Sequence, residues 1–221
     1  MAKFWTPGTV KTRLGASTGM DKSARLHQLF VQTLTTHLAG GAQHCVVSFA
    51  PSEKEADFAD SLPADWQLTH QCDGDLGQRM QDWFTRFLGE QSAAILIGAD
   101  CPTLDQSVID LARELLETND VVLGPANDGG YYLIGIRGPW LDQHAALFKD
   151  VPWSTDTVLS LTQKRIALAG MSCELLSQRE DIDTIDVLHR LIDSLKQTAP
   201  NQSSHARLLR QIESILNEPE S

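Results

Sequence analysis

Apolar residues alternate along the chain between two spacings. Short runs bounded by Gly, Pro or Asp read as strands: HCVVSFA (44–50), WQLTH (66–70), AAILIGA (93–99), DVVLGP (120–125) and YYLIGI (131–136). Between them, Leu26, Leu29, Phe30, Leu34 and Leu38 recur at helical spacing and predict a helix over 22–39. Further helices are predicted over 76–88, 105–117, 155–168 and 184–197. Strands alternating with helices imply an α/β fold with a mostly parallel sheet covered on both faces. After Ala199 the run PNQSSH interrupts the pattern, and ARLLRQIESIL resumes it as a helix. The expected organisation is one domain over 1–199 and a helical appendage over 200–221.

Composition narrows this picture. At 221 residues, 42% hydrophobic and 21% charged, the chain fits a globular domain with a sizeable core. No apolar run reaches the roughly 18 residues of a membrane span, and MAKFWTPG has no signal-peptide core. Cys45, Cys72, Cys101 and Cys173 are widely spaced, with no CxxC pair, which points to reduced thiols and a cytoplasmic protein. A net charge of −11 argues against a nucleic-acid surface. The first 52 residues are the exception, with Lys3, Lys11, Arg13, Lys22 and Arg25 against the single acid Asp21. A small anion is the expected guest there.

Six segments could carry chemistry. In PGTVKTRL, Gly8 permits a tight path while Lys11 and Arg13 supply phosphate donors; a solvated surface turn is the bland alternative. In GADCP, Asp100 follows an apolar strand and precedes Pro102, where it suits either a Mg²⁺ or Mn²⁺ ligand or a helix cap. In GPANDGGYYLIGI, Gly129 and Gly130 admit close approach to a ligand, and Asp128 could orient a hydroxyl or water; a routine hairpin turn reads equally well. DIDT offers Asp183 as a second carboxylate to join Asp100, or as part of a capped helix start. QCDGDLGQRM offers Gln71 to a base edge, Gly77 near a helix start and Arg79 to phosphate. VPWST offers Trp153 to stack on a substrate ring, beside Ser154 and Thr155.

In their order along the chain, AKFWTPGTVKTRL, QCDGDLGQRM, GADCPTL, GPANDGGYYLIGI, VPWST and DIDTID resemble the GT-A-like transferases known as radical-SAM/selenodomain-associated transferases, commonly labelled glycosyltransferases. The resemblance covers about residues 2–190. KTRL followed by a long helix is also similar to the guanylyltransferases of deazaflavin cofactor synthesis and, more distantly, to sugar-nucleotide pyrophosphorylases. It implies a three-layer α/β/α, Rossmann-like nucleotide-diphospho-sugar transferase fold with a mostly parallel mixed sheet. Family members open with an apolar strand, whereas this chain begins inside the motif; the first strand is expected to be missing or truncated, and the native protein to extend upstream.

Carried over residue by residue, the resemblance implies Lys11 and Arg13 at the donor phosphates with Gly8, and Gln71, Gly77 and Arg79 around the nucleotide. It implies Asp100 and Asp183 as the metal ligands, and Asp128, Gly129, Gly130, Trp153, Ser154 and Thr155 on the acceptor side. Lys11, Arg13 and Asp128 would act in catalysis. GADC offers one Asp where the DxD motif of many GT-A enzymes offers two. The function implied is a Mg²⁺- or Mn²⁺-dependent transferase with a nucleoside triphosphate or nucleotide-sugar donor and a small-molecule acceptor. It has neither nucleic-acid nor membrane partner. A nucleotide-binding or scaffolding module without turnover is the alternative. The base, the acceptor and the oligomeric state are not legible in the sequence.

Overall fold

The computed structural model describes residues 1–89, 93–198 and 204–219. The interruption expected at PNQSSH falls, for 199–203, outside the described residues. The chain divides into two compact units, one comprising Met1, 69–98 and 106–180, the other 2–68, 99–105 and 181–221.

The first unit is built on a four-stranded sheet. Its strands β4 (Ala93–Ile97), β5 (Val121–Pro125), β6 (Tyr131–Arg137) and β7 (Cys173–Leu175) lie in the order β4-β6-β5-β7. β6 runs antiparallel to both β4 and β5, and β5 pairs in parallel with β7. The sheet is therefore mixed, and its antiparallel β5–β6 pair is joined by the NDGG segment as a hairpin. Helices α4 (Leu76–Phe87), α5 (Gln106–Leu115) and α6 (Val158–Leu168) belong to this unit. Its core joins Leu96, Val121, Leu123, Ile134 and Ile136 of the strands to Met80, Trp83 and Phe84 of α4 and to Phe148 and Ile166. Each such burial stabilises by about 1.5–3 kcal/mol. Asp75 starts α4 with a capping box, accepting from the Gln78 amide at 2.8 Å while the Gln78 side chain accepts from the Asp75 amide at 2.8 Å.

The second unit holds β1 (Ala2–Lys3), β2 (Val46–Ala50) and the start of β3 (Gln67–His70), in the order β1-β2-β3. β1 is only two residues long and pairs in parallel with β2, Ala2 opposite Phe49. Around these lie α1 (Thr12–Thr18), α2 (Met20–His37), α3 (Glu55–Ser61), α7 (Ile185–Thr198) and α8 (Ser204–Asn217). One core gathers Leu14, Leu26, Leu29 and Phe30 with Ile182, Leu188, Leu191, Leu208, Ile212 and Ile215. Helix α8 therefore packs its apolar stripe into the same core as α1, α2 and α7. A second cluster joins Ala2, Val31, Val47, Phe49, Phe58 and Ala99.

The five predicted strands and the six predicted helices are present, within a few residues at each end. Besides the 3-10 turns at Ser52–Lys54 and Asp142–Leu147, three elements among the described residues were not anticipated. α1 is seven residues long, β7 is three, and α3 (EADFADS) buries only Phe58. None of them repeats an apolar position often enough to declare a period. No described helix is long and apolar enough to cross a membrane.

Candidate active site

Two segments of the second unit, 99–105 and 181–184, are hydrogen-bonded side by side. The Ile182 amide donates to the Asp100 carbonyl at 3.0 Å, and the Cys101 thiol donates to Asp181 Oδ1 at 3.0 Å. This pairing brings the Asp100 and Asp183 side chains to one place. α5 begins at Gln106, six residues beyond Asp100, so Asp100 is not that helix's cap and no helix starts at Pro102.

The loop between β1 and α1 delivers a cation to the two carboxylates. Gly8 sits at φ 77, and Thr9 closes a turn by donating its amide and its hydroxyl to the Thr6 carbonyl at 3.1 and 2.8 Å. Lys11 precedes α1 in the left-handed conformation, φ 48 and ψ 40. For a residue with a Cβ this costs about 1–2 kcal/mol relative to the right-handed form. Its carbonyl accepts the Gly15 amide at 2.8 Å and starts the helix, while its side chain turns inward over the Phe30 ring at 5.8 Å.

The Lys11 ammonium ends between the carboxylates. It donates to Asp183 Oδ1 at 2.9 Å and forms a short ion pair with Asp100 Oδ1. The lysine side chain is 2% exposed, the aspartates 41% and 44%. Burial alone would lower the lysine pKa, but the charges and hydrogen bonds of Asp100 and Asp183 outweigh it and raise the net value. For Asp100, burial would raise the pKa, and the charge and hydrogen bond of Lys11 hold it below the ordinary carboxylate range. Two negative charges and one positive charge leave a net negative site.

His27 of α2 lies within the electrostatic reach of this trio. It is 5% exposed, and its Nε2 donates to the Lys3 carbonyl at 3.0 Å. Nδ1 has no hydrogen-bond partner among the described residues. Burial lowers its pKa; the negative charge of Asp100 opposes this and the positive charge of Lys11 adds to it. Arg13, by contrast, is exposed on α1.

The remaining sequence candidates lie in the first unit. Arg79 donates to Gln71 Oε1 at 3.1 Å and to the Gly74 carbonyl at 3.1 Å, so these two residues brace the loop ahead of α4. Gly77 is a packing glycine: a Cβ there would come within 2.2 Å of the Phe148 carbonyl and 2.8 Å of Trp153 Nε1. Trp153 lies edge-on to Tyr131, their ring centroids 6.5 Å apart, and its Nε1 is buried without a partner among the described residues. Ser154 takes φ 65, and the Thr155 hydroxyl donates to the Pro152 carbonyl at 2.7 Å.

The GG segment is held just as closely. Asp128 Oδ1 accepts from the Gly130 amide at 2.9 Å, closing the turn. Gly129, at φ 88, would place a Cβ 2.2 Å from the Asp156 carbonyl oxygen, and its own carbonyl accepts from Leu159 at 2.8 Å. Asp128–Gly130 and Trp153–Thr155 thus flank a shared contact at Asp156.

Among the described residues no cluster of three or more His, Cys, Asp or Glu is arranged to hold a metal. Asp100 and Asp183 nevertheless offer two hard oxygens to one cation. That donor set suits Mg²⁺, which takes one or two carboxylates and completes its shell with substrate phosphates and water. Sequence reasoning missed three members of the arrangement: Cys101 as a hydrogen-bond donor, Asp181 as its acceptor and His27. DIDT flagged Asp181 only as part of a motif; Cys101 adjoins Asp100 in GADCP but nothing marked its thiol as a donor to Asp181, and nothing placed His27 near the carboxylates.

The mixed α/β fold is that of a solved structure from Desulfovibrio desulfuricans G20 described as a "putative nucleotide-diphospho-sugar transferase". The two share 30% sequence identity and a TM-score of 0.84, over 97% of this chain and 94% of that one. This likeness sets the chain, by fold, among GT-A-like transferases. Residues 33–155 match the family described as "Uncharacterized protein conserved in bacteria (DUF2064)", and the chain belongs to that family. A structure of Rv0371c from Mycobacterium tuberculosis H37Rv is similar at 15% identity and a TM-score of 0.49, over 83% of this chain and 93% of that one, too slight a likeness to bear on function. No curated protein matches the chain.

Proposed function

We propose that this chain is a metal-dependent transferase that takes a nucleotide sugar as donor and passes the sugar to a small-molecule acceptor. The observation that carries the reading is the convergence of Asp100 and Asp183 on one cation position, beside the only basic loop of the first 52 residues. The likeness to the Desulfovibrio desulfuricans structure supports the donor class. In the reaction, the bond from the anomeric carbon to the diphosphate breaks and a bond from that carbon to an acceptor oxygen forms. The acceptor proton passes to a base, and the nucleoside diphosphate leaves with added negative charge.

Asp100 and Asp183 would hold Mg²⁺ or Mn²⁺, which would neutralise that charge. Lys11 supplies a second positive charge on a side chain long enough to reach a phosphate oxygen. Arg13, exposed on α1, is free to approach the donor from solvent. The hydrogen bonds from Ile182 and Cys101 hold the carboxylates in register, so that stabilisation comes from groups already in place. Gln71, Gly77 and Arg79 are assigned to the nucleotide, and Asp128, Gly129, Gly130, Trp153, Ser154 and Thr155 to the acceptor; both assignments rest on their motifs.

A second reading is nucleotidyl transfer, in which an acceptor attacks the α-phosphate of a nucleoside triphosphate and pyrophosphate leaves. The compact Lys11 loop favours it, because a lysine carried on a tight loop suits the β- and γ-phosphates of a triphosphate. Incubation with each donor class and Mg²⁺ separates the two: release of nucleoside diphosphate supports the first, release of pyrophosphate the second. Binding without either product points to a non-catalytic module.

A further inference from the structure

We infer that the Asp100–Asp183 pair holds one cation at a time, with Lys11 filling the position until a metal-bound donor displaces its ammonium toward the donor phosphates. The inference rests on the reading of this pair as a metal and nucleotide site, and concerns how that site is loaded.

Three observations support it. First, the lysine ammonium lies where both carboxylates point, and its side chain is 2% exposed. A divalent ion drawing on the same Oδ1 atoms would sit against that ammonium, and the repulsion of like charges in a partly buried site sets the two cations in competition. Second, the segments that carry the carboxylates are fixed to each other: the Ile182 amide donates to the Asp100 carbonyl and the Cys101 thiol to Asp181. Third, the lysine is the partner able to move. It has a flexible four-carbon stem and springs from a left-handed backbone position at φ 48, where relaxation to a commoner conformation would re-aim it.

The exchange gives the buried ion pair a use. Without donor, Lys11 offsets one of the two facing negative charges and competes with stray divalent ions for the position. With donor, metal enters together with phosphates, and the ammonium that leaves the carboxylates finds new anionic partners. Metal and nucleotide then bind with positive coupling, since each removes part of the other's cost.

Mn²⁺ alone is the probe. Its binding to the whole protein is measured by electron paramagnetic resonance, without nucleotide, for the wild type, Lys11→Met and Lys11→Met/Asp100→Asn. The expected result is at least tenfold tighter Mn²⁺ binding by Lys11→Met than by wild type, lost again in the double variant. Equal Mn²⁺ affinity of wild type and Lys11→Met overturns the exchange.

A measurement on the wild type covers the case in which the variants do not fold. Acetylation of the Lys11 amine, followed by mass spectrometry, should quicken as Mn²⁺ is raised, because the metal expels the ammonium from its shelter. An unchanged labelling rate at Mn²⁺ concentrations that load the site overturns the inference. Wild-type binding of Mn²⁺ with ADP, GDP, UDP or CDP, but no gain in Lys11→Met, rejects exchange while leaving the metal–nucleotide reading in place. No Mn²⁺ binding by either protein under any of these conditions rejects both.

Discussion

The Cys101 thiol donates to Asp181 Oδ1 across 3.0 Å, one residue beyond Asp100 on one segment and two residues before Asp183 on the other. With the Ile182 amide on the Asp100 carbonyl at 3.0 Å, it joins two stretches 80 residues apart in sequence into a single platform for the carboxylates. A buried cysteine beside an acidic motif thereby acts as a positioning group.

Cys101→Ala should leave the protein folded and weaken metal-dependent donor binding by about tenfold, the scale of lost outer-shell support at metal sites. Cys101→Ser, which restores an O–H donor, should recover most of it. Calorimetric titration of the donor at fixed Mg²⁺ reads both variants. Equal affinity for wild type and alanine variant would remove the thiol from the account.

Burial keeps His27 neutral in the fold, with its pKa lowered. In the unfolded chain it titrates near about 6.5. Below that pH the unfolded chain takes up a proton that the folded protein refuses, so stability falls as pH drops from about 6.5 toward the folded pKa. Urea midpoints at pH 7.5 and 5.5 should therefore differ more for wild type than for His27→Gln. His37 and His144, whose pKa values burial also lowers, contribute to the slope that remains. The same slope in both proteins would show that His27 contributes nothing to it.

Ile212 of α8 is fully buried in the cluster that holds Leu14 and Phe30. Ile212→Ala should cost about 2–5 kcal/mol in urea unfolding, the range for such core truncations. A loss under about 0.5 kcal/mol, the size of an ordinary surface change, would mean that α8 adds little to the core.

Gly77 and Gly129 are glycines because backbone atoms lie where a Cβ would be. Gly77→Ala should drive the methyl against the Phe148 carbonyl and the Trp153 ring, and cost about 1–3 kcal/mol as overpacking does. Gly129→Ala should cost at least as much, since φ 88 adds backbone strain to the clash with Asp156. Thermal unfolding measures both, and a stable Gly129→Ala protein would contradict the described turn.

The parts of the fold most legible in sequence were those whose patterns repeat. Val121–Pro125 and Tyr131–Arg137 are apolar almost throughout, and α2 shows Leu26, Leu29, Phe30 and Leu34 on one face. The β5–β6 hairpin was one open reading of Gly129 and Gly130, but the antiparallel pairing of β6 with β4 was not legible, because the expected alternation of strands and helices suggests parallel neighbours. Asp100 could be singled out because it follows the apolar run AAILIGA, and Asp183 because the DIDT segment precedes a helix. Their meeting on Lys11 could not, because a lysine in a basic loop reads as a phosphate donor, and its burial depends on Phe30, Asp100 and Asp183 arriving from distant segments.

The central claim, that Asp100 and Asp183 form a cation site serving a nucleotide donor, is tested most directly by thermal unfolding with nucleotide sugars, with and without Mg²⁺. A donor at about 100 times its dissociation constant should stabilise the wild type by about 2.7 kcal/mol. The account predicts that this stabilisation requires Mg²⁺ and disappears in a folded Asp100→Asn variant. Stabilisation that is equal without Mg²⁺, or unchanged in Asp100→Asn, would contradict it.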